Sequence, residues 1–252
     1  MKPPQLIASI LVIGFLGGVT VLLLRGPKAV VLAAYTSSLQ GRTPAQISNI
    51  CLASRLANHH KIAHGEIFSL NQTLGPRVPE KGFRPGPTLL EEGPEDQPGG
   101  GICQLASALY NVALLSGLQI VERTPHRHVI RSAPPGRDAT IYMESLDLKF
   151  RNPHPFPVTI VSICRSSYLV VKALAPSPLS DRIEIQTQVL ERIPFHKVTR
   201  PGVVGTRRKV MRQGIPGFRV QVIRVYRSPS GDERREIMGE DEYDPLDEIH
   251  SM

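Results

Sequence analysis

The chain has 252 residues, of which 41% are hydrophobic and 21% charged, a globular composition that excludes a wholly disordered protein. Aromatic residues make up only 5% and tryptophan is absent, which argues against a stacking surface for single-stranded nucleic acid. The formal net charge of +8 favours a polyanionic partner: nucleic acid, anionic lipid headgroups or an anionic cell-wall polymer.

The N-terminal segment contains an uncharged run, Leu6 to Leu24, that is long enough to cross a bilayer as a helix. This run predicts a single transmembrane signal anchor within residues 1–29, with a cleaved signal peptide as the alternative. Positive charges flank the run on both sides, so charge leaves its orientation open. We expect the chain beyond about residue 26 to lie outside the cytoplasm, as it does after a signal anchor. That location excludes nucleic acid and leaves the membrane, through residues 6–24, and a cell-wall polymer as partners.

Residues 30–57 are interpreted as a linker and a packing helix. Thr43 followed by Pro44 is a helix-start signal, and apolar residues then recur at helical spacing, which predicts a helix over residues 44–59. No HExxH or CxxC motif is present, so no metal is predicted. No GxxxxGK(S/T) and no GxGxxG after a strand is present either, so no nucleotide cofactor is predicted. Three histidines in and after this region therefore suit a helix end and a loop: His59, His60 and His64.

Residues 58–176 are interpreted as the core domain. Its first part is rich in glycine, proline and asparagine, which predicts ordered loops with short strands. From Cys103 a helix of about 14 residues is predicted, with Gly117 as its stop and a strand over residues 118–123 after it. β-Branched segments then predict a strand-rich second half, and residues 177–252 a strand-rich appendage with an acidic tail. The expected fold class is α+β.

Cys103 is the main candidate for chemistry, because three glycines lead into it at the predicted helix start, in the run GGGICQ. Unpaired N–H groups and the positive end of the helix dipole favour a thiolate there. The amides near Gly101, Ile102 and Cys103 can form an oxyanion hole, with Gly100 and Gln104 as further substrate-contact candidates. The alternative is a structural cysteine in a tight turn.

A thiol nucleophile usually needs a histidine base that is near in space. The segment PHRH supplies His126 and His128 just after the predicted strand. Asp138 can orient an imidazole, and Arg137 can hold a substrate carboxylate. For the arginine, solvated surface charge is the alternative.

Two other cysteines remain, Cys51 and Cys164. An odd number of cysteines allows at most one disulfide and leaves at least one thiol free. The sequence leaves open whether these two pair or are small buried hydrophobic residues.

Three segments resemble the VanW-like family, in order, over roughly residues 58–165: GEIFSLNQTLGPRVPEKGF, GGGICQLASALYNVALLSGLQIVER and PPGRDATIYMESLDLKFRN. The resemblance implies a bacterial envelope role, since the family is named from its association with glycopeptide-resistance loci, and some members look like L,D-transpeptidases that act on peptidoglycan through the motif cysteine. By position it implies Cys103 as nucleophile and His126 as base, with Asp138 inside the GRDAT match. His128 stands where the family pattern does not require histidine.

Two functions are therefore expected. The first is cysteine-dependent acyl transfer on peptidoglycan stem peptides, with an amine acceptor in a transpeptidase or water in a carboxypeptidase. The second is a non-catalytic, basic, membrane-anchored module that binds cell-wall polymer or an envelope partner. The oligomeric state is not predicted.

Overall fold

The computed structural model describes residues 29–90, 93–143, 145–200 and 209–251. Its helices are α1 (Pro44–Ala57), α2 (Leu70–Leu74) and α3 (Cys103–Leu115), with a 3-10 turn at Pro79–Lys81. Its strands are β1 (Val30–Ser38), β2 (His60–Ile62), β3 (Ile67–Ser69), β4 (Pro85–Leu90), β5 (Gly93–Pro98), β6 (Gln119–Glu122), β7 (Lys149–Arg151), β8 (Val158–Cys164), β9 (Tyr168–Ala175), β10 (Arg182–Ile193), β11 (Lys197–Arg200), β12 (Lys209–Arg212), β13 (Gly217–Arg227), β14 (Glu233–Tyr243) and β15 (Glu248–Ser251).

Within the described ranges the strands form separate small sheets. The largest has the order β1-β9-β8-β2 and is antiparallel throughout. Three-stranded sheets have the orders β3-β7-β6, β10-β13-β14 and β11-β15-β12, and β4 pairs with β5 as a hairpin. The neighbours β1 and β9 are far apart in sequence, so local signals could not have predicted this pairing.

Helix α1 packs on β8 and begins as the sequence predicts. Thr43 is the N-cap: its hydroxyl accepts from the amide of Gln46 at 3.2 Å, and the Gln46 side chain accepts from the amide of Thr43 at 3.1 Å. This reciprocal capping box satisfies two amides that the helix itself leaves unpaired. The helix ends at Ala57, two residues before the predicted boundary.

Helix α3 is the centre of the core. Residues 104–114 are all buried, because β1 and β9 pack against one part of its surface and α1, β6 and β10 against others. Leu105, Leu109 and Val112 are each 0% exposed. The predicted stop is confirmed: Gly117 follows the helix with a φ of 70°, a conformation that a residue with a side chain rarely adopts.

Cys51 and Cys164 form a disulfide, which decides between the two readings of these cysteines. It joins α1 to the end of β8, with a Cα–Cα distance of 5.1 Å. The helix is thereby fastened to the sheet that it covers. Cys103 is the free thiol.

The expected fold class, α+β with one transmembrane helix, is wrong. The described part of the chain is strand-rich, with 47% strand and 17% helix. Stretches predicted as loops pair as strands instead, such as β4 and β5 in a proline- and glycine-rich segment, because strand pairing depends on a partner as well as on local propensity. No helix in the described part of the chain is long and apolar enough to cross a membrane. The predicted span over residues 6–24 lies outside the described residues.

The sheet β10-β13-β14 packs against the core next to β6. Arg224 of β13 is only 2% exposed, and its Nη2 donates to the backbone oxygen of Leu118 at 2.9 Å. Val220, Val222 and Val225 of the same strand are also buried. These contacts place the end of β14 beside the residues that follow β6, where the candidate site lies.

Candidate active site

Cys103 is the first residue of α3 and is partly exposed. Three side chains of this helix, spaced four residues apart, form hydrogen bonds to alternate residues of an extended segment. The Asn111 amide donates to the carbonyl of Arg137 at 2.7 Å, and the Ser107 hydroxyl accepts from the amide of Ala139 at 3.0 Å. The Cys103 thiol donates to the carbonyl of Ile141 at 3.6 Å. Four helical residues rise about 6 Å and two extended residues span about 6.6 Å, so the two repeats match. This match brings the GRDAT segment alongside the thiol.

His126 reaches the same place because the chain after β6 pairs briefly with that segment. Thr124 and Thr140 form an antiparallel bridge, with the amide of Thr140 donating to the carbonyl of Thr124 at 2.8 Å. Oδ2 of Asp138 lies 2.5 Å from Nδ1 of His126 and accepts from the His126 amide at 2.7 Å. The pKa of His126 responds to Cys103 as well as to Asp138, so the imidazole lies within interaction range of both groups. The three groups thus have the roles of a catalytic triad: Cys103 as nucleophile, His126 as base and Asp138 as the acid that orients the base.

The three groups change one another's protonation. Burial raises the pKa of the Cys103 thiol, but a hydrogen bond and the charge of His126 outweigh it and leave the pKa below its usual value. Burial lowers the pKa of His126, whereas its hydrogen bonds to Asp138 and Cys103 raise the pKa to about 9. Burial also raises the pKa of Asp138, but His126 and Arg123 bring it below its ordinary value. The arrangement favours a thiolate beside an imidazolium.

The carboxylate of Asp138 is held from the C-terminal sheet. It is 1% exposed, and its Oδ1 accepts from the Tyr243 hydroxyl at 2.5 Å and from Nη2 of Arg123 at 3.2 Å. Nη1 of Arg123 also donates to both carboxylate oxygens of Asp241 in β14, at 2.5 and 2.6 Å. The amide of Gly136 donates to the Tyr243 oxygen at 2.7 Å. The acid is therefore buried with its hydrogen bonds satisfied.

The glycine run before Cys103 is shaped by close backbone packing. A Cβ on Gly100 would lie 2.1 Å from the carbonyl oxygen of Gly86 in β4, so no other residue fits there. Gly101 has a φ of 98° and packs against Gln46 of α1. The loop is therefore packed between β4 and α1, where residues with a side chain would not fit.

The backbone amides of this loop are used unequally. Those of Gly100, Ile102 and Gln104 each donate to the carbonyl oxygen three residues earlier, at 3.0 to 3.2 Å. Among the described residues, the amides of Gly101 and Cys103 have no such partner. The Ile102 amide, a predicted oxyanion donor, is thus occupied by a turn, and two others remain available for an oxyanion.

Gln104 connects the start of α3 to neighbouring segments through side-chain hydrogen bonds. Its side chain is 2% exposed and donates from Nε2 to the Ser37 hydroxyl and to the Ser38 carbonyl, both at 2.7 Å. Its Oε1 accepts from Nε of Arg42, also at 2.7 Å. Gln104 therefore ties β1 and Arg42 to the helix start.

Two other predicted site residues are engaged elsewhere. Nδ1 of His128 lies 3.0 Å from the carbonyl oxygen of Asp244. Nε of Arg137 donates to the side-chain oxygen of Asn111 at 2.5 Å. The structure thus brings His126, and not His128, to Asp138, and it places Arg137 on the middle of α3.

Four side chains near the site were not predicted from the sequence: Arg42, Arg77, Arg123 and Tyr243. Each comes from a different segment and belongs to no short motif, so no local signal identifies it.

Comparisons with known proteins agree with the motif. The family described as VanW like protein matches residues 45–174. The uncharacterized protein YoaR of Bacillus subtilis is 29% identical over 163 residues, covering 65% of this chain and 54% of YoaR. The vancomycin B-type resistance protein VanW of Enterococcus faecalis is 31% identical over 114 residues, covering 42% of this chain and 41% of that protein. The chain thus spans about half the length of these curated relatives, or less.

Among solved structures, an IgA1 protease G5 domain is similar to part of this chain. The match covers 29% of this chain and 90% of that domain, at 16% identity and a TM-score of 0.20. A similarity this low supports no conclusion. The family match covers more than half of the sequence and includes Cys103, His126 and Asp138. The chain therefore belongs to the VanW-like protein family.

Proposed function

We propose that this protein is a cysteine acyltransferase of the bacterial cell envelope that acts on peptidoglycan stem peptides, as an L,D-transpeptidase or carboxypeptidase. The observation that carries the proposal is the grouping of Cys103 with His126, whose Nδ1 lies 2.5 Å from Oδ2 of the buried Asp138. A thiolate next to an oriented imidazolium is the arrangement used for thioester formation. The name of the Enterococcus faecalis relative, a vancomycin resistance protein, supports an envelope substrate.

In the acylation step, the Cys103 thiolate attacks the carbonyl carbon of the scissile amide. A C–S bond forms and the carbonyl electron pair moves to oxygen, which the free amides of Gly101 and Cys103 can receive. When the intermediate collapses, the C–N bond breaks and the leaving amine takes the proton of His126. A thioester and a neutral imidazole remain.

In the second step, neutral His126 accepts a proton from an incoming amine or water as that nucleophile attacks the thioester. The C–S bond breaks, which restores the thiolate and the imidazolium. Asp138 holds the imidazole orientation in both steps through its 2.5 Å contact to Nδ1. The nature of the acceptor decides between transpeptidase and carboxypeptidase.

The Cys51–Cys164 disulfide supports a location outside the cytoplasm, because reducing conditions inside most cells keep such cysteines as thiols. The net charge of +8 favours contact with anionic wall polymers in that location.

The test is intact-mass analysis of the full chain incubated with a disaccharide-tetrapeptide stem. We expect an acyl adduct in the wild type and none in Cys103→Ala. His126→Ala should lower the acylation rate by roughly 10²- to 10⁴-fold, the usual contribution of a general acid–base group. His128→Ala is the matched control and should acylate at close to the wild-type rate, because its side chain bonds to the Asp244 carbonyl.

A specific result of these measurements would contradict the proposal. Absence of an adduct, together with a Cys103 that iodoacetamide does not alkylate near neutral pH, contradicts the proposal. That result favours a binding module in which Cys103 has a structural role.

A further inference from the structure

Two arginines from separate segments contact residues on either side of Cys103 in the sequence. Arg42 precedes α1, and its Nε donates to the side chain of Gln104, the residue next to the thiol. Arg77 follows α2, and its Cβ and Cγ lie 3.2 and 3.1 Å from the point that a Cβ on Gly99 would occupy. The negative charge of Cys103 acts on both guanidinium groups. The site therefore contains two guanidinium groups besides that of Arg123.

Both guanidinium groups lack a carboxylate partner. In the described part of the chain neither arginine forms an ion pair; Arg42 bonds to Gln104, and Arg77 bonds to the carbonyls of Gly75 and Met143 at 3.4 and 3.3 Å. The charged groups that act on them are Cys103 and, for Arg77, also Asp147. Both side chains are partly buried.

Arg123, in the same region, differs from these two arginines. Its guanidinium is paired with Asp138 and Asp241, so its charge is neutralised within the protein. A partly buried cation without such a partner is costly unless an anion binds to it. Arg42 and Arg77 are thus available to an anion that arrives with the substrate.

We propose that Arg42 and Arg77 bind the carboxylate of the substrate's C-terminal residue and so restrict the enzyme to removing one terminal residue. The inference rests on the proposed acyl transfer. In such a donor the scissile amide joins the last residue to the chain, so its α-carboxylate lies two bonds from the amide nitrogen. An anion that close to the reacting carbonyl must sit near the thiol. Arg42 contacts Gln104, the residue next to the thiol, and the Cys103 charge acts on both guanidinium groups, so both can act on such an anion.

A pair of small reagents tests the anion site without any peptidoglycan substrate. Iodoacetate and iodoacetamide alkylate a thiolate by the same displacement of iodide, but only iodoacetate carries a carboxylate beside the reacting carbon. For Arg42→Gln and Arg77→Gln we expect the ratio of the iodoacetate rate to the iodoacetamide rate to fall by about tenfold or more, the size expected for one lost charge-assisted hydrogen bond. Using the ratio removes any change in thiolate reactivity that both reagents share.

The control is Arg55→Gln, an exposed arginine in the last turn of α1, which removes the same charge elsewhere and should leave the ratio unchanged. Arg42→Lys and Arg77→Lys should restore part of the ratio, since they keep the charge but lose the planar fork. If both reagent rates fall together in the glutamine variants, the arginines only stabilise the thiolate and the inference is wrong.

Stem peptides with a free or an amidated C-terminus separate this inference from the proposed function. Wild type should acylate faster with the free acid, and the glutamine variants should lose that preference while still reacting with the amide. Acylation in which the variants keep the preference overturns the inference and leaves acyl transfer intact. Iodoacetate selectivity without any stem adduct leaves the anion site standing and overturns the peptidoglycan substrate.

Discussion

The hydroxyl of Tyr243 donates a 2.5 Å hydrogen bond to Oδ1 of Asp138, across 105 positions of the sequence. The hydroxyl oxygen of Tyr243 accepts a hydrogen bond from the amide of Gly136, two residues before the aspartate. Tyr243 is the last residue of β14, so the C-terminal sheet fixes the carboxylate that orients His126. Stability of that sheet and reactivity of the thiol are therefore coupled.

Replacing Tyr243 with phenylalanine removes both hydrogen bonds and little volume. The Gly136 amide would lose its acceptor in a buried position, so we expect the free energy of unfolding to fall by about 1–3 kcal/mol. Urea denaturation measures the change. Tyr168→Phe is the control, because Tyr168 is 41% exposed at the start of β9 and should change stability little. Equal effects of the two substitutions would contradict the role assigned to Tyr243.

The pH dependence of acylation should report His126. Its pKa is raised from 6.5 to about 9, so the imidazolium that protonates the leaving amine is present below about pH 9 and is lost above it. The rate should fall on the alkaline side near pH 9. In Asp138→Asn the carboxylate that raises this pKa is absent, so the fall should move to lower pH. A pH–rate profile of stem acylation by both proteins decides the point; an unmoved alkaline limb speaks against the pairing.

The same raised pKa affects stability with a defined sign. A group whose pKa is higher in the folded state stabilises the fold fully below its unfolded value and loses that effect as pH rises through the folded value. The contribution of His126 should thus be present below about pH 6.5 and disappear towards pH 9. Wild type and His126→Ala should differ most in unfolding free energy at the acid end of this window. A difference that grows with pH would contradict this assignment.

Gly100→Ala tests the shape of the loop before the thiol. A Cβ there would lie 2.1 Å from the backbone oxygen of Gly86, so strand β4 must move. We expect a loss of about 3 kcal/mol or more in unfolding free energy. Gly65→Ala is the comparison: it has a φ of 77° but nothing within 4 Å, and it should cost only about 1–2 kcal/mol. Thermal or urea unfolding of the two variants measures the difference.

Removal of the disulfide should destabilise the folded chain. Cys51 and Cys164 are 113 residues apart, and closing so long a loop restricts the unfolded chain by about 4–5 kcal/mol. The double variant Cys51→Ala/Cys164→Ala should lose about 2–5 kcal/mol. Dithiothreitol should lower the denaturation midpoint of wild type and leave that of the double variant unchanged. An insensitive wild type would show that the bond does not contribute.

Local signals predicted the parts of this fold that local chemistry controls. The Thr43 cap, the Pro44 start and the Gly117 stop lie within a few residues of the helix ends that they specify, and the structure bears them out. Strands were harder, because the hairpin of β4 and β5 lies in a segment of prolines and glycines that disfavours strands by propensity.

The sequence by itself singled out Cys103, two candidate histidines and Asp138, since a glycine-led cysteine and a family motif are short-range features. Only the tertiary structure chose His126 over His128, because the choice depends on which imidazole meets Asp138. It alone also brought Tyr243 to the acid and Arg42 to Gln104, the residue next to the thiol. These contacts join residues far apart in the chain, and burial in a common core, not local propensity, decides which distant side chains meet.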